Sequence, residues 1–393
     1  MKVNRFLLAW EYGDALGHLA RLRPVALKLA ALGHEVTLAL RPSPHVANLP
    51  GGLRVVPVPP GQIARECIRQ PVSMADILYN QATSDPRMLA SQVRAWHGLF
   101  ELVQPDVVVM DHSPITLLSL QGQPRKKVLL GTGFACPPAI SPLPDLRAWQ
   151  NHYPDRVKAT EQTVLETLNR QLENQKQPTL DCVGRLFERV DANLLTTFPE
   201  LDHYPNRSNG EYLGTWSDLA GAKPVWPEGD GPRIFAYLKP HRGLVAILDH
   251  LASLPVRTLV YIGGAFDSRR WEGSRINFSD QPLNMNEVGR ECDLAILHAG
   301  HGATASLMLA GKPILQIPIH VEQYHNALRT EQQGAGCKIP LGDSDGFRAA
   351  LAEMLGNPKY HEAARDFANQ HADHDPQGSV AALVDRLLKL ANH

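Results

Sequence analysis

The chain has 393 residues, which is room for two domains of ordinary size. Hydrophobic residues make up 44% and charged residues 20%, and 39 lysines and arginines nearly cancel 40 aspartates and glutamates. That balance argues against a basic surface built for nucleic acid or a strong field toward a membrane, with local patches left open.

The opening apolar stretch breaks at Glu11 without a small-residue cleavage site, so no secretion signal is expected. No run approaches the roughly 20 apolar residues of a bilayer span. Cys67, Cys136, Cys182, Cys292 and Cys337 are odd in number and scattered, without metal spacing or a disulfide framework. A cytoplasmic location is the expectation.

In chain order, Arg5–Trp10 reads as a buried strand. Leu22, Val25, Leu29 and Leu32 then recur at helical spacing, with Gly33 as the stop. Glu35–Leu40 and Leu53–Val58 read as strands and Met88–Val103 as a helix. Val107–Met110 and Val128–Leu130 have the short apolar runs of central parallel strands. A polar helical stretch follows from about Arg156 to Gln175, then a strand at Asn193–Thr196. From Leu213 to Pro232 the composition turns to Gly, Pro, Trp and Asp, as in a linker. Alternation then restarts. The strands are Ile234–Leu238, Leu259–Ile262, Leu294–Leu297 and Ile314–Ile317. The helices are Leu244–Leu254, Gly302–Ala310, Glu322–Gln333 and Ser379–Leu390. The expected fold class is α/β, with two units of parallel sheet covered by helices.

Ligands in such sheets bind beyond the carboxyl ends of the strands. The residues there are Gly13 and Gly17-His18, Asp111-His112, Gly131-Thr132-Gly133, Lys239, Gly263-Gly264, His298 to Thr304, and Pro318 to Gln323. Polar and glycine residues thus collect at one edge of each sheet, the layout of a cleft between facing domains. The segment Leu297–Ala327 is the most telling. A strand ends at His298, glycines permit close backbone approach, and a helix begins near Gly302, whose amides and dipole suit a diphosphate. The loop lacks the lysine of a P-loop, and the first strand lacks a dinucleotide fingerprint.

At these residues the chain resembles the two-Rossmann-domain (GT-B) glycosyltransferases of family 1, with kinship to the undecaprenyl-linked N-acetylglucosaminyl transferases. Their C-terminal signature is matched by His298, Gly300, Gly302, Ala303, Thr304 and Ser306, then Gly311-Lys-Pro313, then Pro318, Glu322, Gln323, Asn326 and Ala327. The N-terminal one is matched by Gly17-His18 through Gly33-His34, with Arg21 in place of a proline. The resemblance implies two facing Rossmann-like domains with a cleft between them. Residues 1–215 would bind the acceptor and 216–393 the nucleotide sugar, the C-terminal helix being free to pack back on the first domain. It implies His18 as catalytic base and Asp111 as its orienting carboxylate. It further implies that His298, Gly300 and the amides of Gly302, Ala303 and Thr304 hold the donor diphosphate. Gly17 and Lys239 would lie near it, Glu322 and Gln323 would bond the sugar, and Pro282 and Leu283 would lie in the base-binding loop. Two departures bear on the nucleotide: Ser306 stands in place of a ribose-binding glutamate and Asp280 in place of a base-stacking tryptophan.

The implied reaction is sugar transfer from a nucleotide-diphosphate sugar, UDP-sugar by default, to an acceptor hydroxyl with inversion. No cofactor is expected beyond that co-substrate, and no metal, because His112, His301, His320 and His325 match no standard spacing. A small-molecule or lipid-like acceptor is expected, without nucleic acid or a transmembrane segment, peripheral membrane contact staying open. Each residue also has a plainer reading. His18 could be an exposed loop histidine, Asp111 an N-cap for the next helix, and His298 a buried strand-end histidine bonded to backbone. Glu322-Gln323 could be ordinary first-turn residues, and Lys239 an exposed lysine. Trp149, Tyr153 and Phe134 read as core more readily than as an acceptor pocket. A sugar-nucleotide epimerase and a non-catalytic nucleotide-sugar-binding relative are the alternative functions.

Overall fold

The structure, a computed structural model, describes residues 2–392 except 14–15, 44–45, 48, 62, 151–153, 206 and 217–220. The chain divides into two compact units. The first is Met1–Asp218 with Asp375–His393, and the second is Leu219–His374. The division thus falls inside the Gly- and Pro-rich linker, and the final segment rejoins the first unit.

The first unit is built on β1 (Arg5–Trp10), β2 (Glu35–Leu40), β3 (Arg54–Pro57), β4 (Val107–Asp111), β5 (Lys126–Gly131), β6 (Ala192–Leu195) and β7 (Glu211–Tyr212). They form one parallel sheet in the order β3-β2-β1-β4-β5-β6-β7. Valines and leucines covered on both faces explain the unbroken apolar runs, and every residue of β4 is buried. The helix Leu16–Ala31 lays Leu22, Val25, Ala26 and Leu29 on this sheet.

The last helix, Pro376–Ala391, starts from Asp375, whose side chain accepts from the Gln377 amide, with proline in the first turn. Its Val380, Leu383, Val384 and Leu387 join the same core. Burying a side chain of this kind is worth about 1.5–3 kcal/mol, so this stripe suffices to hold the helix on the first unit. Ser379 Oγ also donates to the Leu213 carbonyl at 2.7 Å.

The second unit repeats the plan with β8 (Arg233–Leu238), β9 (Arg257–Ile262), β10 (Ile276–Ser279), β11 (Leu294–Leu297), β12 (Ile314–Gln316) and β13 (Gly336–Lys338). Its parallel order is β10-β9-β8-β11-β12-β13. In both sheets the order reverses beside the first strand, between β1 and β4 and between β8 and β11. That reversal opens a crevice at the carboxyl ends. Register puts Trp10 beside Asp111 and Leu297 beside Tyr237, so the loops in question leave from the same level.

Several elements escape the sequence reading. The short helix Met74–Leu78 running into a π-helix at Tyr79–Thr83, and the short helix Pro114–Ser119, offer too few residues to show a period. The amphipathic helices Ser344–Gly356 and Lys359–Gln370 also lie beyond that reading.

Candidate active site

At the crevice of the first sheet, His18 comes from the opening turn of Leu16–Ala31 and Asp111 from the last position of β4. His18 Nδ1 stands 3.0 Å from Asp111 Oδ2, their side chains 18% and 3% exposed. The contact falls short of a well-aligned hydrogen bond. Arg21 Nη1 reaches the same carboxylate oxygen. Burial alone would push the Asp111 carboxyl up, but the Arg21 and His18 charges outweigh it and hold it at about 2. Gly17 is exposed in the same helical turn, with open space around its Cα.

The His18 ring stacks on Trp10 at a centroid distance of 5.2 Å. Gly13 has φ of +95°, and a Cβ there would lie 2.7 Å from His18 Nε2. Glycine therefore keeps the outer ring nitrogen open. His112 also lies beside His18, at 6.1 Å between centroids, with a left-handed backbone at φ +48°. Burial, and then the proximity of His18, lower its pKa to about 3. Backbone strain of this kind on a non-glycine residue concentrates at functional sites.

Asp111 does not cap the following helix. The buried Glu11 does so, accepting from the Ile115 amide at 2.9 Å, the Thr116 amide at 3.1 Å and Trp96 Nε1 at 2.6 Å. Burial raises its pKa to about 7 against those donors. Nothing in the sequence singles out this carboxylate, whose partners lie far along the chain.

The loop after β5 backs the pair. A Cβ on Gly131 would come 3.4 Å from Asp111 Oδ1. The loop is tied down by Arg207, which donates to the carbonyls of Cys136 and Gly133 and pairs with Asp202 at 2.7 Å, both side chains 1% exposed. Phe134 is buried against His203, Trp149 is exposed, and Tyr153 lies outside the described residues.

In the second unit, His298 follows β11 and is 6% exposed. Its Nδ1 lies 3.2 Å from the Tyr237 carbonyl, and the two rings meet edge to face at 4.4 Å. The plainer reading, a buried histidine bonded to backbone, is thus true of Nδ1, while Nε2 remains. Burial, with Lys239 and His320 nearby, lowers the His298 pKa to about 4. Lys239, half-buried after β8, is therefore near enough to His298 to act on its charge. Ala299 takes φ +61°, and Asn326 Nδ2 secures its carbonyl at 3.0 Å. Gly300 caps the helix His301–Leu309. A Cβ on Gly300 would lie 3.0 Å from His298 Nε2.

The first-turn amides of Gly302 and Ala303 fall outside the helix's own ladder and remain available to an anion. Thr304 does not belong with them. Its amide donates to the Gly300 carbonyl at 3.0 Å, its hydroxyl accepts from Gln316 at 2.9 Å, and it is 2% exposed.

Glu322 is half-buried in the first turn of Val321–Gln332. Gln323 is buried, with Oε1 accepting from the Ile319 amide at 2.8 Å, so its NH2 is left as the donor a ligand could use. Pro282 and Leu283 follow β10. The Pro282 carbonyl accepts from Ala222 at 2.8 Å, and Asn284 donates to Ala222 at 2.9 Å. The main chain of this loop is therefore already partly paired. Among the described residues, no three His, Cys, Asp or Glu side chains gather as a metal-binding group. No helix among them is long and apolar enough to cross a membrane.

Two doubly wound parallel sheets, each with its polar groups at the point where strand order reverses, define the GT-B architecture. Residues 279–387 match the family of the erythromycin biosynthesis protein CIII-like, C-terminal domain. A PGL/p-HBAD biosynthesis glycosyltransferase of Mycobacterium tuberculosis is 24% identical over 392 residues, covering 93% of this chain and 88% of that protein. The calicheamicin glycosyltransferase CalG4 superposes with a TM-score of 0.71 at 17% identity, covering 100% of this chain and 99% of that one. The spinosyn rhamnosyltransferase SpnG complexed with thymidine diphosphate gives 0.65 at 18% identity, covering 97% of this chain and 100% of that one. Fold and relatives together make the chain a glycosyltransferase of the GT-B fold, similar to those of family 1.

Proposed function

We propose that this glycosyltransferase inverts the anomeric centre, works without a metal, and uses His18 as its base. The observation that carries this reading is the approach of His18 Nδ1 to Asp111 Oδ2 at the switch point of the first sheet. His18 Nε2 takes the acceptor's hydroxyl proton as that oxygen attacks the anomeric carbon. The bond from that carbon to the diphosphate breaks, and the nucleotide diphosphate leaves with the electron pair. Asp111 stabilises the imidazolium that forms. Lys239, His298 and the amides of Gly302 and Ala303 oppose the charge gathering on the leaving group. Glu322 and Gln323 bond the sugar, and Pro282 and Leu283 flank the base. Uridine diphosphate sugars are the first donors to test. Thymidine diphosphate sugars come second, on the ligand of the spinosyn enzyme. The acceptor is a hydroxyl-bearing small molecule or lipid.

Thermal-shift titration of wild type and His298→Ala with uridine and thymidine diphosphates and their sugars tests the donor half. Stabilisation by one nucleotide, lost in the variant, is the expected result. No stabilisation by any of them would overturn it. For the base, His18→Ala should bind the donor as wild type does and transfer nothing, and undiminished turnover would end that assignment.

A further inference from the structure

We propose that Arg21 is a positioning residue of the transfer, holding the Asp111 carboxylate and setting the charge against which His18 takes up the acceptor's proton. The proposal rests on His18 being the base. Arg21 follows His18 by three positions on one helix, so both side chains leave the same face. That face meets the carboxyl end of β4, where His18 Nδ1 and Arg21 Nη1 converge on one oxygen, Asp111 Oδ2. The Arg21 side chain is only 12% exposed, so water screens the pair little. Trp216 Nε1 donates to the Arg21 carbonyl at 3.0 Å and steadies the turn that carries it.

A carboxylate facing a histidine alone gives its full charge to the imidazolium. One that also faces a guanidinium, which stays charged at every working pH, gives less. Arg21 thereby keeps Asp111 ionised through the cycle and makes the His18 imidazolium easier to discharge after transfer. Among the described residues, few other groups surround His18. Trp10 stacks on it from β1, and His112 follows β4. Arg41 donates to the Gly13 carbonyl at 3.4 Å from the end of β2. Among the described cationic or titratable neighbours, Arg21, His112 and Arg41, only Arg21 touches the shared oxygen.

The test is the pH dependence of kcat/KM for Arg21→Met, Arg21→Gln and Arg21→Lys beside wild type, with donor affinity measured in parallel. Loss of the charge in Met or Gln should move the acid limb up by about one pH unit or more. Turnover on that limb should fall by about tenfold, with donor affinity unchanged. Lysine should restore the limb. Two uncharged variants guard against one of them failing to fold. Equal loss at every pH with the limb unmoved would show a merely structural arginine and overturn the proposal, as would wild-type behaviour in all three. Either result with His18→Ala inactive removes only the role of Arg21. Full turnover by His18→Ala would instead remove the reading beneath it.

Discussion

His298 shares the main-chain carbonyl of Tyr237 between its own amide, at 3.0 Å, and its ring Nδ1, at 3.2 Å. A carbonyl only accepts, so Nδ1 carries the hydrogen. In the neutral ring, favoured by burial and by Lys239, Nε2 then presents a lone pair. A diphosphate oxygen also presents lone pairs, so the two attract only once Nε2 is protonated.

Donor binding should therefore take up a proton. Calorimetry near pH 7 in buffers of different ionisation enthalpy should give a positive uptake that disappears in His298→Gln. Affinity should weaken as pH rises. Buffer-independent heats would place the diphosphate away from Nε2.

Gly13 makes a second prediction. A methyl group there would stand 2.7 Å from His18 Nε2, where the acceptor hydroxyl is expected to sit. Gly13→Ala should lower turnover by about 100-fold or more, because displacement of this order disrupts the attacking geometry. Donor binding, assigned to the other unit, should persist. Gly33 has a similar φ of +85° with nothing within 4 Å, so Gly33→Ala carries the backbone cost alone. That variant should lose about 1–2 kcal/mol of stability and keep its turnover. Equal turnover losses in both would show strain rather than obstruction.

His112 makes a third, in stability. Its folded pKa of about 3 lies below the unfolded 6.5, so its contribution is present above pH 6.5 and lost as pH falls toward 3. The slope is about 1.4 kcal/mol per pH unit. Glu11, raised from 4.5 to about 7, acts oppositely, stabilising the fold as pH falls through 7. Comparison of wild type with His112→Asn at each pH cancels Glu11, and asparagine tolerates the left-handed backbone. Urea unfolding of the first unit should fall less steeply toward acid in the variant. Parallel curves would mean that His112 is protonated in the fold.

Much of the fold was legible because its signals are local. β1, β2 and β11 run over the residues expected from their mainly apolar runs, since strands covered on both faces favour apolar side chains. One rule picks out His18, Asp111, Lys239 and His298 as candidates: residues at or just after the end of a parallel strand stand at the edge where ligands bind. The site was less legible wherever a hydrogen bond had already been spent. Thr304 and the Pro282 carbonyl match the family pattern in sequence, yet Gly300, Gln316 and Ala222 occupy them.

The sequence by itself determined two α/β units, a linker between them, and a polar edge on each sheet, because periodicity and motif spacing are properties of neighbouring residues. Only the tertiary structure decided that Arg21 shares the carboxylate of Asp111, that Glu11 rather than Asp111 caps the helix at Pro114–Ser119, and that Pro376–Ala391 returns to the first unit. Each of these joins residues far apart in the chain, brought together by β4 lying next to β1 or by a shared apolar core. Such pairings follow from the packing of whole elements, and no window along the chain contains both partners.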